Sequence, residues 1–519
     1  MNPIRIGIFG DGRGWQLLLN QEGLPSASIH GEFAVDAFSA VVAGDAINEK
    51  EVELIRNYLE VGGGVLCSCR VFARVSGTPC REEQVRYIYP EPNSEFSGIG
   101  FVDISAPCCV PGQAATVRDQ NEKFVIFVGE YGGGRVVVLP FDAGEIVLDG
   151  RVMTKSFYAS RRRLPFETVS LVTKNGVRKL VARSLELLHH ARGLPYVHAW
   201  YFPSGARSLF ALRIDTDYSG ESEIERLSRT LHACGVPLTW FVDVKSQEKI
   251  ITSYAKMEGD EIGIHCYNHT TYSDYRRNVE NIRAAVAVLK THGMEAKSFA
   301  APYGTWNDGI ARAIEHGGFE YSSEFSYDYD DLPSFPFLEG EFLRTLQVPV
   351  HPISIGSLRR QGFSEQEMTE YFHGVLKHKL SHREPVFFYH HPGNGHENVL
   401  KEMIDVVRRE GISAVRMIDY ARWWKKRSAS FTGIEVDGQS LNVTIGTPAD
   451  DVFLHLTMGN GRESFVPARL HMEMDSLDWS QRPRPLPLPP DADRARRFNP
   501  WISLHRLEDF VFGIFKTKS

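Results

Sequence analysis

The sequence predicts an α/β protein organised around a central β/α barrel, with a parallel α/β domain before it and a small β-domain after it. Three patterns predict this. Strand-like apolar runs alternate with amphipathic stretches through residues 1–150. A second alternation, from Phe210 to Lys425, ends several of its strands in carboxylates or histidines. After Trp423-Trp424-Lys425-Lys426-Arg427 the pattern changes to short alternating strands. At 519 residues the chain exceeds one ordinary core, and about 100–200 residues per domain allow roughly three. We divide it into 1–150, a helical connector 151–205, a barrel 206–427 and a β-rich segment 428–519.

In the first segment, Ile4–Phe9, Ala40–Ala43 and Val65–Ser68 read as buried strands and Glu51–Glu60 as a helix, the order of βαβ units. Gly62-Gly63-Gly64 and Gly132-Gly133-Gly134 each precede a strand and let the chain turn sharply. Through Asn57–Leu66 and Gly134–Pro140 this segment resembles the glutamine-amidotransferase-like flavodoxin fold. Such an enzyme needs a cysteine on a strand-to-helix elbow activated by histidine. Cys67 lies at a strand end without the flanking glycine elbow or a following His-x-Glu pair, so the expectation is a non-catalytic accessory domain. In the connector, the apolar positions from Val177 to Leu188 follow helical spacing.

The composition is that of a globular protein, with 42% hydrophobic and 24% charged residues. A net charge of −7 without long runs of one sign argues against nucleic acid as a partner. The amino terminus lacks a basic region followed by an apolar stretch, and no run of about 18 apolar residues occurs, so neither export nor a membrane span is expected. The location expected is cytoplasmic. Seven unevenly spread cysteines read as reduced, buried thiols.

The chemistry concentrates in the barrel. Phe210–Asp217 reads as an apolar strand ending in two carboxylates, on which Arg213, Asp215 and Asp217 share one face and can converge at the carboxyl end. Pro237–Val242 is the next strand. Then Glu261–Ile264 leads into His265 and His269, four apart, whose imidazoles suit zinc. Each feature alone is common; an aspartate joined to two histidines is an open catalytic ligand set.

Here the sequence resembles the polysaccharide deacetylase family, also called the NodB-homology fold, over about 200 residues. Asp215-Thr216-Asp217 resembles its first motif, His265-Cys266-Tyr267-Asn268-His269 its second, Phe299–Gly304 its third and Val386–Pro392 its fifth. The resemblance implies a distorted (β/α)7-type barrel and a flavodoxin-like domain before it, with Asp217, His265 and His269 binding a divalent metal, zinc by preference. It further implies Asp215 as the base, the Tyr303 backbone N–H as an oxyanion donor and His391 as the general acid. His390 is the rival acid; successive strand residues point oppositely, so one of the two faces the site, and His391 is favoured because it directly precedes the loop Pro392-Gly393-Asn394-Gly395.

Three departures stand out. The first motif is spaced, Asp-x-Asp instead of adjacent aspartates. The family's third motif carries an arginine that pairs with the base, where this chain has Ala300; Arg213 is a candidate substitute. No clear fourth motif appears around Tyr327–Asp331. His351 and His396 are expected to be loop or surface histidines. The leading reading is a hydrolase that removes N-acetyl groups from a polysaccharide or glycan precursor by metal-activated water. The alternatives are a catalytically silent carbohydrate-binding or scaffold protein of the same fold, and an amidohydrolase of a cyclic imide or ureide. Beyond the barrel, strands are expected at Ser440–Ile445 and Val452–Met458. A proline-rich linker Arg482–Pro490 then leads to an apolar tail from Trp501 to Phe515 that must be covered by its own chain or by a partner subunit, including a second copy.

Overall fold

A computed structural model describes residues 2–161, 163–447 and 449–504. The amino-terminal sheet has nine strands, of which five are parallel, in the order Ser26–Ser28, Ile6–Phe9, Ala40–Ala43, Gly64–Ser68, Gly134–Leu139. Numbered along the chain that order is 2-1-3-4-5, the arrangement of flavodoxin-like sheets. Ile6–Phe9, Ala40–Ala43 and Gly64–Ser68 are buried at every position, as strands covered on both faces must be. The helix Glu49–Glu60 is started by a capping box between Asn48 and Glu51. Gly134 is required by close approach: a Cβ there would lie 2.4 Å from the Gly63 carbonyl oxygen. Burial pushes the Cys67 thiol upward, the opposite of an activated nucleophile. All seven cysteines are free.

The connector contains more than its helix. The hairpin Val152–Ser156 with Phe166–Ser170 precedes Lys174–Ala191, and Tyr196–Ala199 pairs with Phe453–Thr457 near the end of the chain.

The barrel sheet is wholly parallel. Seven of its eight strands are β1 (Leu209–Asp215), β2 (Leu238–Val242), β3 (Glu261–Ile264), β4 (Ser298–Phe299), β5 (Tyr321–Ser322), β6 (Leu346–Gln347) and β7 (Val386–His390), in the order β6-β5-β4-β3-β2-β1-β7, and the eighth, Ser413–Ala414, pairs with the start of β1 off that path. The ladder stays open between β6 and β7. There the His351 N–H donates to the Phe387 carbonyl at 2.8 Å, which gives the distortion expected of this barrel class. Outward-facing apolar residues such as Ile214, Trp240 and Phe388 form one core with the surrounding helices.

Two four-stranded antiparallel sheets follow. Phe431–Asp437 and Ser440–Ile445 form a hairpin whose edge pairs with Asn2–Pro3, and Phe453–Thr457 pairs with Arg462–Pro467 on one side and Tyr196–Ala199 on the other. The linker folds back over the body, Arg482 Nη1 donating to Glu186 Oε1 at 2.8 Å. Trp501 lies 4.2 Å beneath the Arg163 guanidinium. The tail residues Leu507, Phe510, Val511, Phe512, Ile514 and Phe515 lie outside the described residues. No helix among those described is long and apolar enough to cross a membrane.

Candidate active site

The carboxyl ends of β1, β3 and β7 bring five of the predicted side chains together. Asp217, two residues past β1, lies with Oδ1 3.0 Å from His269 Nε2 and 3.2 Å from His265 Nε2, and with Oδ2 3.2 Å from His391 Nε2. One ligand atom from each of Asp217, His265 and His269 falls within 4.8 Å of the others. Burial pushes the Asp217 carboxyl up, but the imidazoles of His265, His269 and His391 around it hold it well below the ordinary carboxylate range.

The donor chemistry at this point fits a cation. His265 Nδ1 lies 2.7 Å from the Ala300 carbonyl oxygen, which can only accept, so Nδ1 carries the proton. In the neutral ring Nε2 is then a lone pair, and it points at a carboxylate oxygen. Acceptors facing one another at 3.2 Å call for a positive charge between or upon them, and a divalent metal meets that need with the ligand types zinc prefers.

Arg213 and Asp215 share the inward face of β1, as a period of two requires. Arg213 Nε donates to Asp215 Oδ1 at 2.7 Å and Nη2 to Oδ2 at 2.6 Å, a bidentate pair in which both side chains are nearly inaccessible. The remaining nitrogen, Nη1, donates to the Ser323 carbonyl at 2.6 Å, and the rings of Phe241 and Tyr389 enclose the guanidinium. Arg213 therefore supplies Asp215 with the guanidinium partner that Ala300 does not offer. Ala300 itself is buried and contributes its carbonyl to His265.

The two histidines ending β7 point oppositely. His391 faces Asp217, with Asn394 Nδ2 3.2 Å from its Nδ1. His390 is fully buried, both ring nitrogens lack hydrogen-bond partners among the described residues, and burial lowers its pKa to about 3. Such a ring remains neutral and out of reach of the site.

Tyr303 turns the loop after β4 in the left-handed region, at φ 60°. Asp217 (φ 25°), Tyr218 (φ 58°) and Cys266 (φ 67°) share that unfavourable conformation, which nine other non-glycine residues adopt elsewhere among those described, and each such position costs about 1–3 kcal/mol. Tyr218 and Tyr303 are 68% and 74% exposed, and each meets the His269 ring edge-on, with centroids 5.1 and 5.2 Å away. The site mouth is thus open and flanked by aromatic rings.

Three residues here escaped the sequence reading: Tyr218, Asn394 and Asp243. Only Asp243 carried a local signal, an aspartate just beyond the strand Pro237–Val242. The segment Tyr327–Asp331 does not join the site. Asp331 accepts from Arg178 Nε at 2.9 Å, and Asp330 pairs with Lys379 and His351, which ties the barrel to the preceding helix. His351 is therefore not a loop or surface residue; it is buried between Asp330 and the Tyr371 hydroxyl, and burial is tolerable because each ring nitrogen has a hydrogen-bond partner. His396 is partly exposed, 2.9 Å from Glu365.

Residues 203–322 match the model of the family described as polysaccharide deacetylase, so the chain carries a domain of that family within a longer architecture. None of the curated proteins compared matches the chain. Among solved structures, a Mycobacterium smegmatis chain assigned as a polysaccharide deacetylase is 19% identical, covers 44% of this chain and 94% of its own, and has a TM-score of 0.38. A Pseudomonas aeruginosa PAO1 chain with the same assignment is 19% identical, with coverage of 43% and 92% and a TM-score of 0.37. Puue allantoinase is 18% identical, with coverage of 44% and 93% and a TM-score of 0.37.

Proposed function

We propose that the barrel is a divalent-metal-dependent hydrolase that removes N-acetyl groups from a carbohydrate. The observation that carries this reading is the convergence of an Asp-His-His ligand set with a buried, arginine-held aspartate and a histidine at the end of the neighbouring strand β7. A divalent ion held by Asp217, His265 and His269 supplies a Lewis acid that polarises the amide carbonyl and brings the pKa of a water toward about 7. Asp215, locked by Arg213 in one orientation, takes the proton of the attacking water. The Tyr303 backbone N–H is the proposed donor to the developing oxyanion. His391, facing the site from β7, delivers the proton that the departing amine requires.

The open mouth between Tyr218 and Tyr303 supports a sugar chain over a small cyclic imide or ureide, which a closed pocket would suit better. The Arg213–Asp215 pair supports an active enzyme over a silent module. The buried, unactivated Cys67 supports an accessory role for the amino-terminal domain. Incubation with zinc or cobalt and N-acetylated oligosaccharides is expected to release acetate, and Asp215→Asn and His265→Ala are expected to abolish it. No acetate from any N-acetylated glycan, with metal demonstrably bound, refutes the reading.

A further inference from the structure

Two deeply placed polar atoms at this site have no hydrogen-bond partner among the described residues: His269 Nδ1 and Asp243 Oδ2. Asp243 is 1% exposed and directly follows β2, between the end of β1 that leads to Asp217 and the end of β3 that leads to His265. Its backbone is tied to both neighbours. The Asp243 N–H donates to Thr216 Oγ1 at 2.9 Å, and the Val244 N–H donates to the Cys266 carbonyl at 3.2 Å. A carboxylate shut into such a place costs several kcal/mol unless a donor or a cation meets it. Burial pushes its carboxyl upward, while the Ser246 side chain and the imidazoles of His269 and His265 act against that rise.

The two ligand histidines differ in their outer nitrogens. His265 Nδ1 is satisfied by the Ala300 carbonyl, whereas His269 Nδ1 is buried and unsatisfied. A metal-binding histidine normally donates that N–H to a carboxylate, a carbonyl or a water, which fixes its tautomer and strengthens the other nitrogen as a ligand. Asp243 Oδ2 is a buried acceptor that no donor among the described residues uses, its charge acts on the His269 imidazole, and Asp243 stands outside the inner set of Asp217, His265 and His269. Charge points the same way. Arg213 neutralises Asp215, which leaves Asp217 and Asp243 as two negative charges among three imidazoles, the count that one divalent ion balances.

We propose that Asp243 is the outer carboxylate of a divalent-metal centre, receiving the Nδ1 proton of His269 directly or through one water and balancing the charge of the ion. It is a positioning residue that acts through His269, and the inference rests on the metal-dependent reading above. The full-length protein is stripped with a chelator and titrated with Zn2+ against a competing indicator, with thermal unfolding followed in parallel. Asp243→Asn is expected to lower Zn2+ affinity about 10–100-fold. The metal-free variant should melt no lower than metal-free wild type, because a buried charge has been removed, and its Zn2+-induced rise in Tm should shrink. Asp243→Glu, which keeps the charge, should bind Zn2+ more tightly than Asp243→Asn. Unchanged affinity in Asp243→Asn, a metal-free variant melting below wild type, or the reverse order of the two variants overturns the assignment. Missing acetate release with zinc bound sinks the substrate reading and leaves this one standing; wild type that takes up no zinc sinks both.

Discussion

Replacing Arg213 with methionine isolates what the buried pair contributes. Arg213 supplies the only hydrogen bonds that reach Asp215 among the described residues, and both side chains are almost wholly inaccessible. Removing one partner of such a pair costs about 3–5 kcal/mol, since the other charge stays buried alone. The Ser323 carbonyl loses its donor as well, at about 1 kcal/mol more. Asp215 can escape part of this only by taking up a proton, which ends its service as a base. Acetate release should therefore fall about 10²–10⁴-fold whichever way the strain is relieved. Urea unfolding of Arg213→Met, Asp215→Asn and the double variant gives the coupling directly. The double variant carries no orphaned charge and should be more stable than Arg213→Met alone, with a coupling of at least about 2 kcal/mol. An Arg213→Met protein within about 1 kcal/mol of wild type, together with additivity within about 0.5 kcal/mol, refutes the reasoning.

The two histidines of β7 should respond oppositely. His391→Ala is expected to lose about 10²–10⁴-fold in acetate release with little change in stability. His390→Leu is expected to keep activity and unfold no earlier, since it replaces a buried ring with two unpartnered nitrogens; equal losses of activity would contradict the assignment. Stability of the metal-free protein should fall with acid from about pH 6.5. Burial lowers the pKa of His189 to about 4 and of His455 to about 3, so the unfolded chain binds more protons in that window, and His189 alone accounts for about 3 kcal/mol. Glu463 and Asp330 extend the loss toward pH 2. Burial works to raise both, yet Arg383 with His455 and His351 with Lys379 hold each near 2, and that stabilisation disappears on protonation. His269 has the opposite sign: burial lowers it, Asp217 raises it overall, and its contribution grows as pH falls. A urea midpoint that stays level from pH 7 to pH 5 would refute this balance.

Much of the barrel is legible in the sequence because its signals are local. A strand's period of two is enough to place Arg213 and Asp215 on one face, and the same rule separates His391 from His390. The amino-terminal parallel strands show as unbroken apolar runs, since both of their faces are covered. The two sheets near the carboxyl end are only half legible. Asn2–Pro3 and Tyr196–Ala199 complete them from far away in the chain, and a strand pairing through its backbone leaves no mark on its side chains that names the partner. The connector reads as helical from its sequence for the same reason.

The order of strand-end carboxylates and histidines along the chain, with the fold class that their flanking apolar runs imply, was settled by the sequence alone, because each depends on residues within a few positions of one another. Which buried groups meet was decided only by tertiary structure. Arg213 held between Asp215 and the Ser323 carbonyl, His351 drawn inside against Asp330, and Asp243 Oδ2 buried at the site without a partner among the described residues all follow from packing of distant segments. There, removal of water makes every charge find a counter-charge or remain costly.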